Sequence, residues 1–267
     1  MHLFHALHNS NALPLINALH IYIALHLVSC NASHQKALHW AKGFSMYKIA
    51  FLNGKGGVGK TTLATQIAVR ACENFNMVAI IDLDPSGGAR TWFRDREGND
   101  MGDRPALLVG VSDPIEALDV AERAGYDFVV LDGSPGTIDA TRVAVAAVDA
   151  VVIPEKCSHH DMSKAAVVAK FCADAGTPAI GVVNEVPMPG ERRPYQKQMA
   201  TEIIASIKEY GLPVVSITDR EQFLRAMNGG VGVHEMKGSG MKTPQQEIDD
   251  LYEQIIIAVG LAKAEAV

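Results

Sequence analysis

From residue 47 onward, short continuous apolar runs alternate with longer stretches whose apolar residues recur every third or fourth position. The runs at 48–52, 77–81, 128–131, 150–153 and 179–183 predict strands, and 213–217 is a weaker one. They are continuous rather than alternating, the pattern of strands covered on both faces. The periodic stretches predict helices over 60–73, 114–124, 138–148, 162–173, 194–210 and 247–262. Strand alternating with helix implies an α/β fold: a doubly wound, mostly parallel sheet with helices on both faces. Ligands bind such sheets beyond the carboxyl ends of the strands, so the chemistry is expected there.

Residues 1–45 follow a different rule. Six-residue units opening with Ala-Leu begin at Ala6, Ala12, Ala18 and Ala24, and another Ala-Leu-His begins at Ala37. That period fits neither helix nor strand. The segment holds seven of the ten histidines, no Asp or Glu, and only Lys36 and Lys42 as charges. A signal peptide would need a basic start. A membrane span would need an apolar run unbroken by Pro14, His20 and His26. Leu-Val-Ser-Cys, ending at Cys30, resembles a lipoprotein cleavage site, but the same basic start is missing before it. The expectation is a translated nucleotide repeat, with the native start at Met46 and one domain over 46–267.

Composition adds limits. The chain has 267 residues, 48% hydrophobic and 20% charged, with net charge −6. That is an ordinary globular balance. No global basic field advertises nucleic acid, so any such contact needs a local patch. Residues 46–267 carry 22 Lys and Arg against 30 Asp and Glu, a net −8. Cys30, Cys72, Cys157 and Cys172 form no metal or disulfide spacing. His159 and His160 beside Cys157 match no standard ligand set either.

The chemistry begins at Gly54. Gly54 to Thr61 reads G-K-G-G-V-G-K-T, a phosphate-binding loop placed between a strand and a helix. Its glycines let backbone N–H groups of Gly56, Gly57, Val58 and Gly59 turn toward phosphate oxygens, and the helix start favours the same anion. Lys60 should reach the β and γ phosphates and Thr61 should ligate Mg²⁺. Asp82 and Asp84 end the second predicted strand, and Asp132 ends the third. Carboxylates there can hold Mg²⁺ waters and orient an attacking water.

These segments carry a resemblance. K-G-G-V-G-K-T-T, with its additional Lys55, resembles the deviant Walker A loop of the ParA/MinD ATPases. I-D-L-D-P-S-G-G-A-R-T-W resembles the family's second acidic motif in its ParA form. L-D-G-S-P-G resembles its Walker B segment, from which Ser134 departs. I-T-D-R-E-Q-F-L-R-A-M-N-G-G resembles a C-terminal ParA stretch. The resemblance covers about 46–267.

It implies ATP and Mg²⁺ as cofactors and an ATP-dependent homodimer, with Lys55 reaching the partner subunit's phosphates. Asp84 would position the hydrolytic water, Asp82 and Asp132 would serve Mg²⁺, and Thr62 would touch the α phosphate. Asn184 would stand beside adenine, flanked by Pro187, Met188 and Pro189. It further implies a short ParA-type partition protein, without a helix-turn-helix domain. Such a protein is cytoplasmic and nucleoid-associated, binds double-stranded DNA non-specifically and works with a centromere-binding, ParB-like adaptor. Arg192, Arg193, Arg220 and Arg225 are the DNA-contact candidates. A MinD-like membrane ATPase and a metabolic relative are the alternatives. The acidic outer face of the last helix argues against anionic lipid.

Overall fold

The computed structural model describes residues 46–134, 137–157 and 162–262, with the side chains of residues 162 and 163 left aside. The expected leader falls on residues 1–45, outside that range. His159 and His160 fall outside it as well.

The strands are β1 (Tyr47–Phe51), β2 (Val78–Asp82), β3 (Ala106–Leu108), β4 (Phe128–Asp132), β5 (Ala150–Lys156), β6 (Ala179–Val186) and β7 (Val214–Thr218). The helices are α1 (Lys60–Ala71), α2 (Gly88–Gly98), α3 (Pro114–Arg123), α4 (Ile138–Ala147), α5 (Met162–Ala175), α6 (Pro194–Glu209), α7 (Glu221–Asn228) and α8 (Lys242–Ala258). All seven strands are parallel, in the order β3-β2-β4-β1-β5-β6-β7. The chain winds one way from β1 and then the other, so β1 sits centrally and the loop after it opens at the switch point.

Strand residues alternate between two cores, as the period-two pleat requires. Ala50, Leu52, Ala79, Ile81, Val129, Leu131, Val151 and Ile153 face α3, α4 and α5. α6 continues that layer over β6, where it approaches closely. A Cβ on Gly181 would lie 2.4 Å from Ile207. α1 and α8 cover the other face. Leu63, Ile67, Ile248, Leu251, Tyr252 and Ile255 are all buried. The last helix is thus a core helix.

Three elements were not expected: α2, β3 and α7. α8 also begins at Lys242, a turn and more before the expected 247. β5 and β6 run three residues further than predicted, to Lys156 and Val186, and these added residues reach the site.

Candidate functional site

The first half of the site is built by the loops after β1, β2 and β4. Gly57 and Gly59 take left-handed conformations, with φ of +73° and +99°, which glycine adopts without steric cost. Gly59 caps α1. No side chain fits at Gly59: a Cβ would lie 2.1 Å from the Asn184 amide nitrogen. The loop is also tied from within. Lys55 N–H donates to Asn53 Oδ1 at 2.9 Å, and Lys60 Nζ donates to the Lys55 carbonyl at 2.9 Å. Asn53 is itself anchored by donating to the Pro154 carbonyl at 2.8 Å.

Sheet register brings the acidic residues together. Asp82 on β2 lies opposite Asp132 on β4, and Phe51 lies opposite Asp132 on the other side. Thr61 donates to Asp132 Oδ2 at 2.7 Å. The other Asp132 oxygen is buried and has no partner among the described residues. Burial pushes the Asp132 carboxyl up to about 7. Asp82 and Asp84 push the same way, against the Thr61 hydroxyl and Lys60. Burial also lowers the Lys60 ammonium below its ordinary range, opposed by Asp132 and Asp84. Asp84 receives the Ser86 N–H at 2.9 Å. Gly88 lets α2 start against Thr61, because a Cβ there would meet the Thr61 side chain at 3.1 Å.

The second half is built by β6, β7 and α7. A cavity of about 470 Å³ runs from Gly56, Lys60 and Thr62 past Asp84 to Asn184, Thr218 and Arg220. Asn184 lines it, but its amide donates to the Val58 carbonyl at 3.0 Å. It therefore supports the loop as well as bordering the cavity. Glu185, with φ +56° at a register shift between β6 and β7, also faces the cavity. Pro187 does not border it, contrary to expectation. It is buried where β6 ends, and the irregular turn at Glu185 gives that residue the lining position.

Two of the four expected DNA-contact arginines are committed inside the protein. Arg193 bridges Glu191 and Asp219, the latter at 2.9 Å. Arg220 reaches Glu247 on α8 at 3.0 Å, and Thr218 donates to the same carboxylate at 2.7 Å. Arg192 and Arg225 are exposed. Sequence reasoning also missed Glu155. It is buried on β5 near Lys55, with its carboxyl pushed up to about 7 by burial and pulled back by that lysine. Its only signal was an acid in an apolar strand end.

The family pattern described as "CobQ/CobB/MinD/ParA nucleotide binding domain" matches residues 49–233. The chain belongs to this family. It is a P-loop ATPase, using ATP with Mg²⁺. It is 26% identical over 215 residues to a maintenance of carboxysome distribution protein A from Halothiobacillus neapolitanus, covering 79% of this chain and 96% of the relative. It is 30% identical over 139 residues to the chromosome-partitioning ATPase Soj from Thermus thermophilus, covering 42% of this chain and 56% of that one. A Cyanothece McdA in complex with ATP shares the fold, with a TM-score of 0.61 at 16% identity, covering 83% of this chain and 99% of that one.

The residues present fit a nucleotide and its cation. The loop leaves no room for a side chain at Gly59, and the Asp132 Oδ1 atom is buried and unpartnered. Among the described residues no three carboxylate, His or Cys side chains converge as a ready-made metal site. That suits Mg²⁺, which takes one or two protein oxygens and completes its shell with phosphate and water.

Proposed function

We propose that this ATPase is an ATP-switched dimer that uses double-stranded DNA as its track. On this reading it segregates plasmid or chromosomal DNA through a centromere-binding adaptor, and it works in the cytoplasm on the nucleoid. The observation that carries the proposal is Lys55, a second cation inside a phosphate loop whose backbone is already secured at both of its peptide groups. Two nucleotide-loaded faces repel one another, and a lysine from each would offset that charge only when nucleotide is shared.

Mg²⁺ supplies charge neutralisation between the phosphates when bound. Lys60 donates toward the terminal phosphates, and Thr61 together with Asp132 holds the cation side. Asp82 accepts from waters on that side. Asp84 accepts a hydrogen bond from the attacking water and aims it, while Thr62 touches the α phosphate. Asn184 keeps the loop closed against β6.

The test is fluorescence anisotropy of a random-sequence duplex with the full chain, comparing ATP with ADP at two salt concentrations. Binding with ATP alone that weakens with salt supports a DNA track. Equal or absent binding in both states removes it.

A second reading concerns the cargo. A match that spans nearly all of a relative is to a carboxysome distribution protein, which favours a protein assembly as freight. Stimulation of hydrolysis by an adaptor without its DNA site would favour that reading. A requirement for the site would favour DNA. The membrane alternative would need an apolar helix face turned outward, whereas α8 packs its apolar face inward.

A further inference from the structure

One cation at the metal side, inside the second acidic motif, was given no role by the sequence. Arg90 stands two turns after Asp82, at the start of α2. Its backbone N–H and its Nε both lie 3.2 Å from Asp82 Oδ2. Its terminal nitrogen donates to the Asp84 carbonyl at 3.0 Å and to the Pro85 carbonyl at 3.3 Å. The guanidinium lies flat over the turn, 3.0 Å from where a Cβ on Gly87 would stand. Asp82 Oδ1 is occupied as well, by the Asp84 N–H at 3.0 Å. Both oxygens of this fully buried side chain are therefore committed, whereas the Arg90 side chain is 45% exposed.

Any cation that recruits Asp82 meets this asymmetry. The two backbone donors belong to the turn and stay. The guanidinium can leave for water at small cost, because the Arg90 side chain is already nearly half exposed. Carboxylates crowded at one site need a counter-charge, and Asp82, Asp84 and Asp132 have Lys60 and Arg90 within reach. We propose that Arg90 is a positioning residue that serves as the resident counter-ion of Asp82 and is displaced from it by Mg²⁺. Arg90 thereby sets how much Mg²⁺ the nucleotide site requires. Its departure also releases the Asp84 and Pro85 carbonyls, so arrival of the cation loosens the turn that carries Asp84. This rests on the reading above that Asp82 serves the metal side.

The experiment titrates Mg²⁺ into the full chain with a fluorescent ADP analogue, so that neither hydrolysis nor ATP-driven dimerisation enters. Arg90→Gln should lower the half-saturating Mg²⁺ concentration by about three- to tenfold, between the values of exposed and buried charge pairs. Arg90→Lys, which keeps the charge, should stay near the parent. Asp82→Asn should raise the Mg²⁺ requirement, and Arg90→Gln should then add nothing in that background. Emission from Trp92, buried on the same helix, checks that α2 remains packed. If Arg90→Gln leaves the requirement unchanged or raises it while Asp82→Asn raises it, Arg90 merely braces the turn and the proposal fails. If Asp82→Asn has no effect, the metal-side reading of Asp82 fails first and takes the proposal with it.

Discussion

The two halves of the cavity are built differently. The phosphate half uses contiguous residues, Gly54 to Thr62, whose backbone makes the binding surface. Its charges come from strand ends that register places side by side. The other half, the base half after the expected place of adenine, uses single residues from β6, β7 and the start of α7. Their charged groups are paired with residues behind the lining: Glu185 with Lys156, Asp219 with Arg193 and Arg220 with Glu247. The first half is therefore constrained at Gly57 and Gly59, where the backbone is left-handed. The second can change residues as long as its internal pairs are kept. A contiguous surface made of backbone is specified by glycines, and a composite one by side-chain pairings across loops.

The sharpest way to break this comparison is to remove charge from the phosphate half. Lys60→Ala should weaken ATP binding by roughly a hundredfold or more, since truncating one member of a buried charge set costs about 2–5 kcal/mol. A fluorescent ATP titration reads it, and a loss of only a few-fold would mean that the loop backbone alone holds the phosphates. Lys55→Gln separates affinity from assembly. ADP binding should change little, while ATP-driven dimerisation, followed by light scattering, should disappear. A variant that still dimerises with ATP would remove Lys55 from the interface.

The same contrast explains what the sequence could disclose. The loop, its flanking strand and helix, and the three aspartates were all legible, because adjacent residues carry them. α2 was not. Its buried positions are Ala89, Trp92 and Arg96, and a stripe of three that includes an arginine has no apolar period. Arg96 is nonetheless a core residue, because Glu235 meets it at 2.6 Å and its terminal nitrogens also donate to the Gly230 and Met101 carbonyls. α7 buries only Phe223 and Ala226, and β3 is a three-residue, half-buried edge. Pairings such as Arg193 with Asp219 join residues 26 positions apart. No local pattern announces which arginine is free.

Between the halves stands Glu155, whose carboxyl is raised from 4.5 to about 7 chiefly by burial. The folded protein then holds this proton more tightly than the unfolded chain does. The resulting stability is full below about pH 4.5 and is lost as pH rises through about 7. Glu155→Gln should therefore raise the melting temperature at pH 8, by the equivalent of up to about 3 kcal/mol. At pH 5 it should do little. Equal effects at both pH values would mean that the carboxylate is compensated by Lys55 rather than penalised by burial. In the base half, Arg220→Gln should cost about 1–3 kcal/mol of stability, because it leaves Glu247 half-satisfied against α8. Denaturant unfolding measures this, and an unchanged midpoint would show that Thr218 alone suffices for that carboxylate.

The smallest effects distinguish committed from available arginines. Arg225 lies exposed on α7 and Arg192 precedes α6 in the open, whereas Arg193 and Arg220 face acids of their own chain. If DNA is the track and these two exposed arginines meet its phosphates, Arg225→Gln and Arg192→Gln should each lower the slope of log affinity against log salt by about 0.9. Arg193→Gln should leave that slope unchanged, because a guanidinium already shared by two carboxylates contributes little net field to a phosphate. The measurement is the ATP-dependent duplex titration repeated at several salt concentrations for each variant. A slope that falls with Arg193→Gln but not with Arg225→Gln would mean that binding DNA breaks the Glu191 and Asp219 pairs. The base half would then be a surface that opens on its track rather than a closed support for the nucleotide.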